Sequence, residues 1–242
     1  MSECEGADAY RTTAEFYDIL QAERDSRLVA ELYGARVADA RGPVVDVGAG
    51  SGTVSFMALA CSGAPVHAVE PSAVMRSLLL TRLAWSRADL RARVTVHAGT
   101  LPDAELPDGS AALVVCHNVA PTLDEAARRA LWDAAARVLE PGGLLLMDRP
   151  RAEAPRAPEV AVFAPVRVGA DTYEGEVRET ACEEGAELAF TYTVRRGQRL
   201  VRRRGERFLT RMLPLEVLAA EVGGCGLRWE ETGERVLAAR RE

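Results

Sequence analysis

Apolar residues at Phe16, Ile19, Leu20, Leu28, Leu32 and Val37, set among charges, have the spacing of helices with one buried face over residues 12–39. Arg41-Gly42-Pro43 breaks that pattern. Val44-Val45-Asp46-Val47 follows, a β-branched run suited to a strand buried on both faces of a parallel sheet. Val54, Phe56, Met57, Leu59 and Ala60 then form a mostly apolar helix closed by Ser62-Gly63. The alternation continues with a strand over Pro65–Val69, a helix over Ala73–Ser86, and strands over Val94–His97 and Ala112–Cys116. Leu123–Leu139 reads as a helix ended by Pro141-Gly142-Gly143, with a fifth strand at Leu144–Met147. Strands alternating with helices predict right-handed crossovers and an α/β, doubly wound, Rossmann-like sheet.

After Asp148 the pattern changes. Residues 150–160 are a Pro/Ala/Arg-rich loop, and Val160–Val168, Thr172–Thr180, Leu188–Arg195 and Leu200–Leu213 read as extended segments between turns. Arg196-Gly197-Gln198 is a hairpin turn. These segments predict an antiparallel β insert after the fifth strand, lying over a substrate pocket. Pro214, Leu215–Val222, Leu227–Glu231 and Arg235–Ala239 return to the parent sheet as a helix and two closing strands, giving a mostly parallel seven-stranded sheet. The expected organisation is a helical cap at 1–40, a ligand-binding core at 41–150, the insert at 151–212 and the closing elements at 213–242.

A length of 242 residues suits one core with an elaboration. With 48% hydrophobic and 27% charged residues the chain can fold. No apolar run approaches the roughly 18–20 residues of a membrane helix, and the acidic start lacks the basic and apolar regions of a secretory signal. A cytoplasmic protein with no membrane partner is expected. Cys4, Cys61, Cys116, Cys182 and Cys225 are widely spaced and read as buried free thiols, and His67, His97 and His117 are not clustered, so no metal site is expected. The net charge of −6 argues against nucleic acid. The basic residues are all arginine and are segregated: residues 195–211 carry eight Arg against one Glu, and residues 171–187 carry seven carboxylates against one Arg.

The chemistry concentrates at Gly48-Ala49-Gly50-Ser51-Gly52, where a buried strand runs into a glycine-rich turn and the N–H groups of the next helix face the opening. A dinucleotide site spaces its glycines G-x-G-x-x-G to seat a pyrophosphate. This turn reads G-x-G-x-G, and Asp46 before it favours a cation over a phosphate. Glu70 ends the second expected strand, where a carboxylate accepts both hydroxyls of an adenosine ribose. A ligand with adenosine, a positive centre and no phosphate satisfies both acids, which points to S-adenosylmethionine.

Here the sequence resembles the class I S-adenosylmethionine-dependent methyltransferases, in VVDVGAGSG at 44–52, AVEPSAVM at 68–75, LPDGSAALVV at 106–115 and ARVLEPGGLLLMD at 136–148. The start, Ala14 to Leu20 with Tyr17-Asp18, is similar to the segment that folds over the cofactor in small-molecule members. The resemblance implies that Gly48, Ala49 and Gly50 line the methionine part of the cofactor, Glu70 the ribose, and Thr100 and Leu101 the adenine. It further implies that Arg24 pairs with the cofactor carboxylate, and that Asp46, Gly52, Pro71 and His117 border the same site. The insert is similar to that of amino-sugar and peptide N-methyltransferases of bacterial antibiotic pathways. Two positions depart from the family: Thr100 stands where many relatives carry an adenine-binding Asp, and Ala111-Ala112 replaces Phe-Asp.

Methyl transfer from a sulfonium needs alignment and, for some acceptors, a base. His117, beyond the fourth strand, is the candidate base or orienting group, Asn118 a polar contact, Tyr17 a wall of the methyl channel, and Asp148 a substrate contact or loop cap. His67 and His97 read as structural. The arginines at 195, 196, 199, 202, 203, 204 and 207 read first as a solvated hairpin face answered by the neighbouring acidic strands, then as a site for an anionic small-molecule substrate, and last as RNA contact. The expected activity is methyl transfer to N or O of a small molecule. A cofactor-binding protein without transfer, and a nicotinamide-dependent oxidoreductase, are the rivals; the absence of lysine counts against the latter. The acceptor and the oligomeric state are open.

Overall fold

A computed structural model describes residues 10–230 and 233–242. Cys4 and Glu231 therefore lie outside the described residues. The chain runs α1 (Thr13–Ala38), β1 (Val44–Val47), α2 (Thr53–Cys61), β2 (Val66–Glu70), α3 (Ala73–Ala84), a single turn α4 (Ala88–Arg91), β3 (Val94–Ala98), β4 (Ala111–Cys116), α5 (Glu125–Val138) and β5 (Leu139–Asp148). Next come β6 (Glu159–Val162), β7 (Val166–Val168), β8 (Asp171–Cys182), β9 (Gly185–Arg196) and β10 (Arg199–Thr210), then α6 (Leu215–Gly224), β11 (Leu227–Glu230) and β12 (Val236–Arg241).

The seven-stranded sheet has the order β11-β12-β5-β4-β1-β2-β3, with β1 to β5 parallel and β12 antiparallel to β5. This is the doubly wound architecture expected. Strand alternation divides the core: Val45 and Val47 face α5 and α6, in one cluster with Leu131, Trp132 and Leu218. Val44 faces α1 and α2, in a second cluster with Val29, Tyr33 and Met57. The order reverses between β1 and β4, and the carboxyl ends of those two strands flank the crevice where such sheets bind ligands.

The strands β6 to β10 form the separate antiparallel sheet. Its inner face packs Phe163, Tyr192 and Val194 on Phe16 and Leu20 of α1, and the Phe16 and Tyr192 rings stack at 4.6 Å between centroids. Gly175 allows this approach, because a Cβ there would lie 2.7 Å from Phe163 and 2.9 Å from Leu20.

Several local expectations are corrected. The N-terminal pattern forms one helix rather than several. The fifth strand starts at Leu139, so Pro141-Gly142-Gly143 lies inside it; the residue before a proline favours extended backbone, and Leu139 pairs with Ala111 ahead of a register shift. The extended run expected at 160–168 divides into β6 and β7 around Phe163–Pro165, where the Phe163 side chain turns into the core and Pro165 has no N–H to donate. Of the described cysteines only Cys116 is buried; Cys61 ends a helix and Cys182 borders a hairpin turn, and both are exposed. Among the described residues no helix is long and apolar enough to cross a membrane.

Candidate active site

A cavity of about 290 Å³ opens at the reversal point between β1 and β4. Its floor is the glycine turn. Gly48 and Gly50 hold φ of +64° and +58°, a region that side chains disfavour, and a Cβ on Gly48 would lie 2.4 Å from the Val119 side chain. Bare backbone is thus presented to the cavity.

Glu70, at the end of β2, borders the cavity and is buried. Its two oxygens accept N–H bonds from Gly50 and Ser72, each at 2.7 Å. Burial raises the Glu70 carboxyl above its ordinary range, opposed by those two bonds and by the Arg76 charge. Arg76 in turn donates to the carbonyls of Glu70 and Pro71. The side chain is therefore locked, and each oxygen keeps lone-pair capacity toward the cavity. Pro71, Thr100 and Leu101 line the same end. The Thr100 hydroxyl donates to Asp103 at 2.6 Å, and the same oxygen accepts the Thr100 N–H at 3.0 Å. With its proton committed to Asp103, the Thr100 oxygen is left as an acceptor.

Tyr10 and Tyr17 close the cavity from the N-terminal side. Burial, with Asp25 adding to it, raises the Tyr17 phenol far above its ordinary value, so it stays protonated and can donate. The antiparallel sheet contributes none of the residues lining the cavity; it reaches the site indirectly, through α1 and through Phe208 packed 4.8 Å from the Tyr10 ring.

At the opposite wall stand His117 and Asn118. His117 Nδ1 lies 3.1 Å from the Tyr33 hydroxyl and 3.5 Å from Asp148 Oδ1. The Asn118 amide nitrogen is 3.2 Å from His117 Nε2. The Asn118 backbone takes a φ of +57° and donates its N–H to Asp148 Oδ1 at 2.7 Å. Asn tolerates this left-handed conformation better than most residues. Asp148 thus holds the loop after β4.

Four expected site residues are not brought to the cavity. Asp46 is buried on the α2 side of β1, because residues 45 and 47 take the cavity side, and its carboxylate accepts the Ser55 hydroxyl at 2.6 Å. Burial pushes the Asp46 carboxyl up to about 7, so it is no fixed anion facing a cation. Ala49 packs with Ala68 and Leu79, and Gly52 precedes α2 with no face on the cavity. Arg24 continues the row of Phe16 and Leu20 at four-residue spacing; it faces the antiparallel sheet, over the Phe163 ring at 5.3 Å, and bonds to Asp25 and Gln21. His67 and His97 lie outside the cavity and pair with each other at 3.1 Å between ring nitrogens.

Sequence reasoning missed Tyr10, Met75 and Tyr33, and the wall made by Leu123, Ala127, Ala130 and Leu131. That wall has helical spacing, which is the spacing of any core face; no residue type marks it as lining a cavity.

Residues 44–143 match the family model described as a methyltransferase domain. No curated protein matches the chain by sequence. Among solved structures, Streptomyces venezuelae DesVI superposes with a TM-score of 0.75, at 20% identity, over 95% of this chain and 98% of its own. Micromonospora echinaspora CalS10, an amino pentose methyltransferase involved in calicheamicin biosynthesis and solved with S-adenosylmethionine bound, gives 0.70 at 22% identity over 92% of each chain. The sugar N-methyltransferase KedS8 of a Streptoalloteichus species gives 0.67 at 20% identity over 92% of this chain and 87% of its own. Residues 44–143 are thus similar to a methyltransferase domain, and the chain that carries them has the fold of these solved methyltransferases.

Proposed function

We propose that the protein transfers a methyl group from S-adenosylmethionine to a nitrogen or oxygen of a small molecule, an amino sugar or peptide of bacterial specialised metabolism. The observation that carries this reading is one continuous cavity bearing Glu70 at one end and His117 at the other, with bare glycine backbone between them. The residues present fit the donor. Gly48 has no room for a Cβ beside Val119 and Gly50 holds a φ that side chains disfavour, Glu70 offers lone pairs to a ribose, Thr100 offers an acceptor to an adenine amino group, and Leu101, Val119 and Leu131 make an apolar slot.

Bound there, S-adenosylmethionine supplies an electrophilic methyl group on a sulfonium. The chain's own residues do the rest. Glu70, fixed by the N–H groups of Gly50 and Ser72, holds the ribose end in one register. Alignment of the nucleophile with the methyl group is worth several powers of ten in rate. Tyr17, kept protonated by burial, donates a hydrogen bond at the mouth. His117 takes the proton of the acceptor, a contribution of roughly 10²–10⁴ in rate. The likeness to an amino pentose methyltransferase and a sugar N-methyltransferase supports a nitrogen acceptor.

Titration calorimetry with S-adenosylmethionine checks the donor site. Saturable binding is expected, and Glu70→Ala should weaken it by roughly 10–100-fold through loss of charged hydrogen bonds. Absence of saturable heat at millimolar ligand overturns the reading. Turnover against amines, amino sugars and peptides, followed as S-adenosylhomocysteine, then separates transfer from binding alone.

A further inference from the structure

The base assigned to His117 is itself held from behind. We propose that Tyr33 and Asp148 are positioning residues, Tyr33 fixing the His117 ring and Asp148 selecting its Nδ1–H tautomer, so that Nε2 is left unprotonated and able to take the acceptor's proton. The inference rests on the reading of His117 as the base.

Tyr33 belongs to α1 and is fully buried, yet its hydroxyl finds its partner in a ring nitrogen of a residue 84 positions away. A buried tyrosine whose hydroxyl served no purpose would be replaced without loss by phenylalanine, and a buried O–H needs a partner. The Tyr33 and His117 rings meet edge to face at 5.6 Å, so packing and hydrogen bond together leave the imidazole one orientation. Burial, reinforced by Asp148, raises the Tyr33 phenol far above its ordinary value, which keeps it a neutral hydroxyl.

Asp148 decides which nitrogen carries the proton. An ionised carboxylate only accepts hydrogen bonds, and its Oδ1 lies 3.5 Å from Nδ1. A bare Nδ1 would set two acceptors against each other, whereas Nδ1–H gives the carboxylate a donor. The Tyr33 hydroxyl can donate to a bare Nδ1 or accept from Nδ1–H, so it orients the ring and leaves the choice of tautomer to Asp148. Nε2 is then the acceptor nitrogen, consistent with the Asn118 side-chain nitrogen placed 3.2 Å away as a donor, and this exposed side chain must swing aside for the methyl acceptor to reach Nε2. The charged and titratable groups that act on His117 come from three elements: Asp148 on β5, Tyr33 on α1, and the Asp46 carboxyl on β1.

During transfer the acceptor's proton moves to Nε2, Nδ1–H is retained, and the resulting imidazolium faces the Asp148 charge. The same Asp148 oxygen also holds the Asn118 N–H, so one carboxylate fixes both the base and the loop that presents it.

The test needs no acceptor. Nitrogen NMR distinguishes protonated from bare ring nitrogens, and His67→Gln and His97→Gln variants isolate the His117 signals in a chain with three histidines. At alkaline pH, where the rings are neutral, His117 is expected as Nδ1–H. Asp148→Asn should lower the share of that tautomer roughly fivefold, and Tyr33→Phe should change it less. Binding of S-adenosylmethionine by both variants, measured calorimetrically, shows that the fold and donor site persist. An Nε2–H ring in the unaltered protein, or a tautomer ratio unmoved by Asp148→Asn, overturns the proposal. Failure of the unaltered protein to bind S-adenosylmethionine would instead overturn the functional reading and leave the tautomer result intact. Once an acceptor is in hand, Asp148→Asn should cut kcat roughly tenfold or more with the KM for S-adenosylmethionine held, and should cost little further in a His117→Ala background; equal losses in both backgrounds also overturn the proposal.

Discussion

The parallel sheet and the antiparallel sheet treat charge in opposite ways. In the first, β1 is buried along its whole length, and charged groups admitted to the interior meet specified partners: Asp46 with Ser55, Glu70 with two backbone N–H groups, and Arg128 with Glu221. In the second, strands of 12 residues bury one face against α1 and leave the other to solvent, where charges meet in cross-strand pairs such as Arg195 with Glu174 and Arg207 with Glu187. The cavity follows the first kind of order. Its residues come from the parallel core, the loops at its carboxyl edge and the N-terminal segment. Removal of one interior partner should therefore cost far more than removal of one outer charge.

The largest effect is expected at Glu221. Its carboxylate, on α6, accepts two bonds from Arg128 at 3.0 and 2.6 Å and one from the Trp132 ring at 3.0 Å, and both charged side chains are only 6% exposed. Glu221→Ala strands a guanidinium in the core and should cost roughly 3–5 kcal/mol in urea unfolding. Glu221→Gln, which still accepts from Trp132, should cost less. A loss below about 1 kcal/mol for Glu221→Ala would mean that water reaches the pair.

Asp46 sharpens the contrast through pH. Its carboxyl is pushed up to about 7 in the folded chain, chiefly by burial, against 3.8 for the ordinary group. Between those values the folded state holds a proton that the unfolded chain has released. Stability therefore falls as pH rises through the window from about 4 to 7, and this contribution is flat above it. Asp46→Asn can still accept from Ser55 but has no proton to lose. The variant should gain on the unaltered protein as pH rises, by roughly 2–4 kcal/mol at pH 8 relative to pH 4. Thermal unfolding at the two pH values measures it, and parallel curves for the two proteins would place the Asp46 carboxylate in contact with water.

The same contrast sets how far the sequence could be read. Strands buried on both faces, such as Val44–Val47 and Ala111–Cys116, announce themselves as short β-branched or apolar runs, broken in the first only by Asp46, and the glycine spacing with Glu70 marks the ribose end of the site. The antiparallel strands were legible as extended segments, but the break at Phe163–Pro165 depends on a tertiary contact with Gly175 and α1. Asp46 and Arg24 show the limit for site residues. Both have suitable chemistry, and strand parity in one case and helix phase in the other turns them away from the cavity. Tyr33 is the converse: its role arises from a contact across 84 residues that no local pattern contains.

The smallest effect is expected on the outer face of the antiparallel sheet. Arg195 and Glu174 pair at 3.2 Å with side chains 43% and 41% exposed. Much of the Coulomb gain is screened there, and holding two long side chains in one geometry opposes the rest. Arg195→Ala should cost less than about 1 kcal/mol, and the difference should vanish near 1 M salt, where the screening length is about 3 Å. The residue sits two strand positions from Thr193, on a face that also carries Arg203 and Glu176. If that face is open to solvent, each of its charges should be as replaceable as Arg195. A loss above about 2 kcal/mol that persists in high salt would instead mean that the face is covered in solution, and that the two sheets obey one rule for buried charge rather than two.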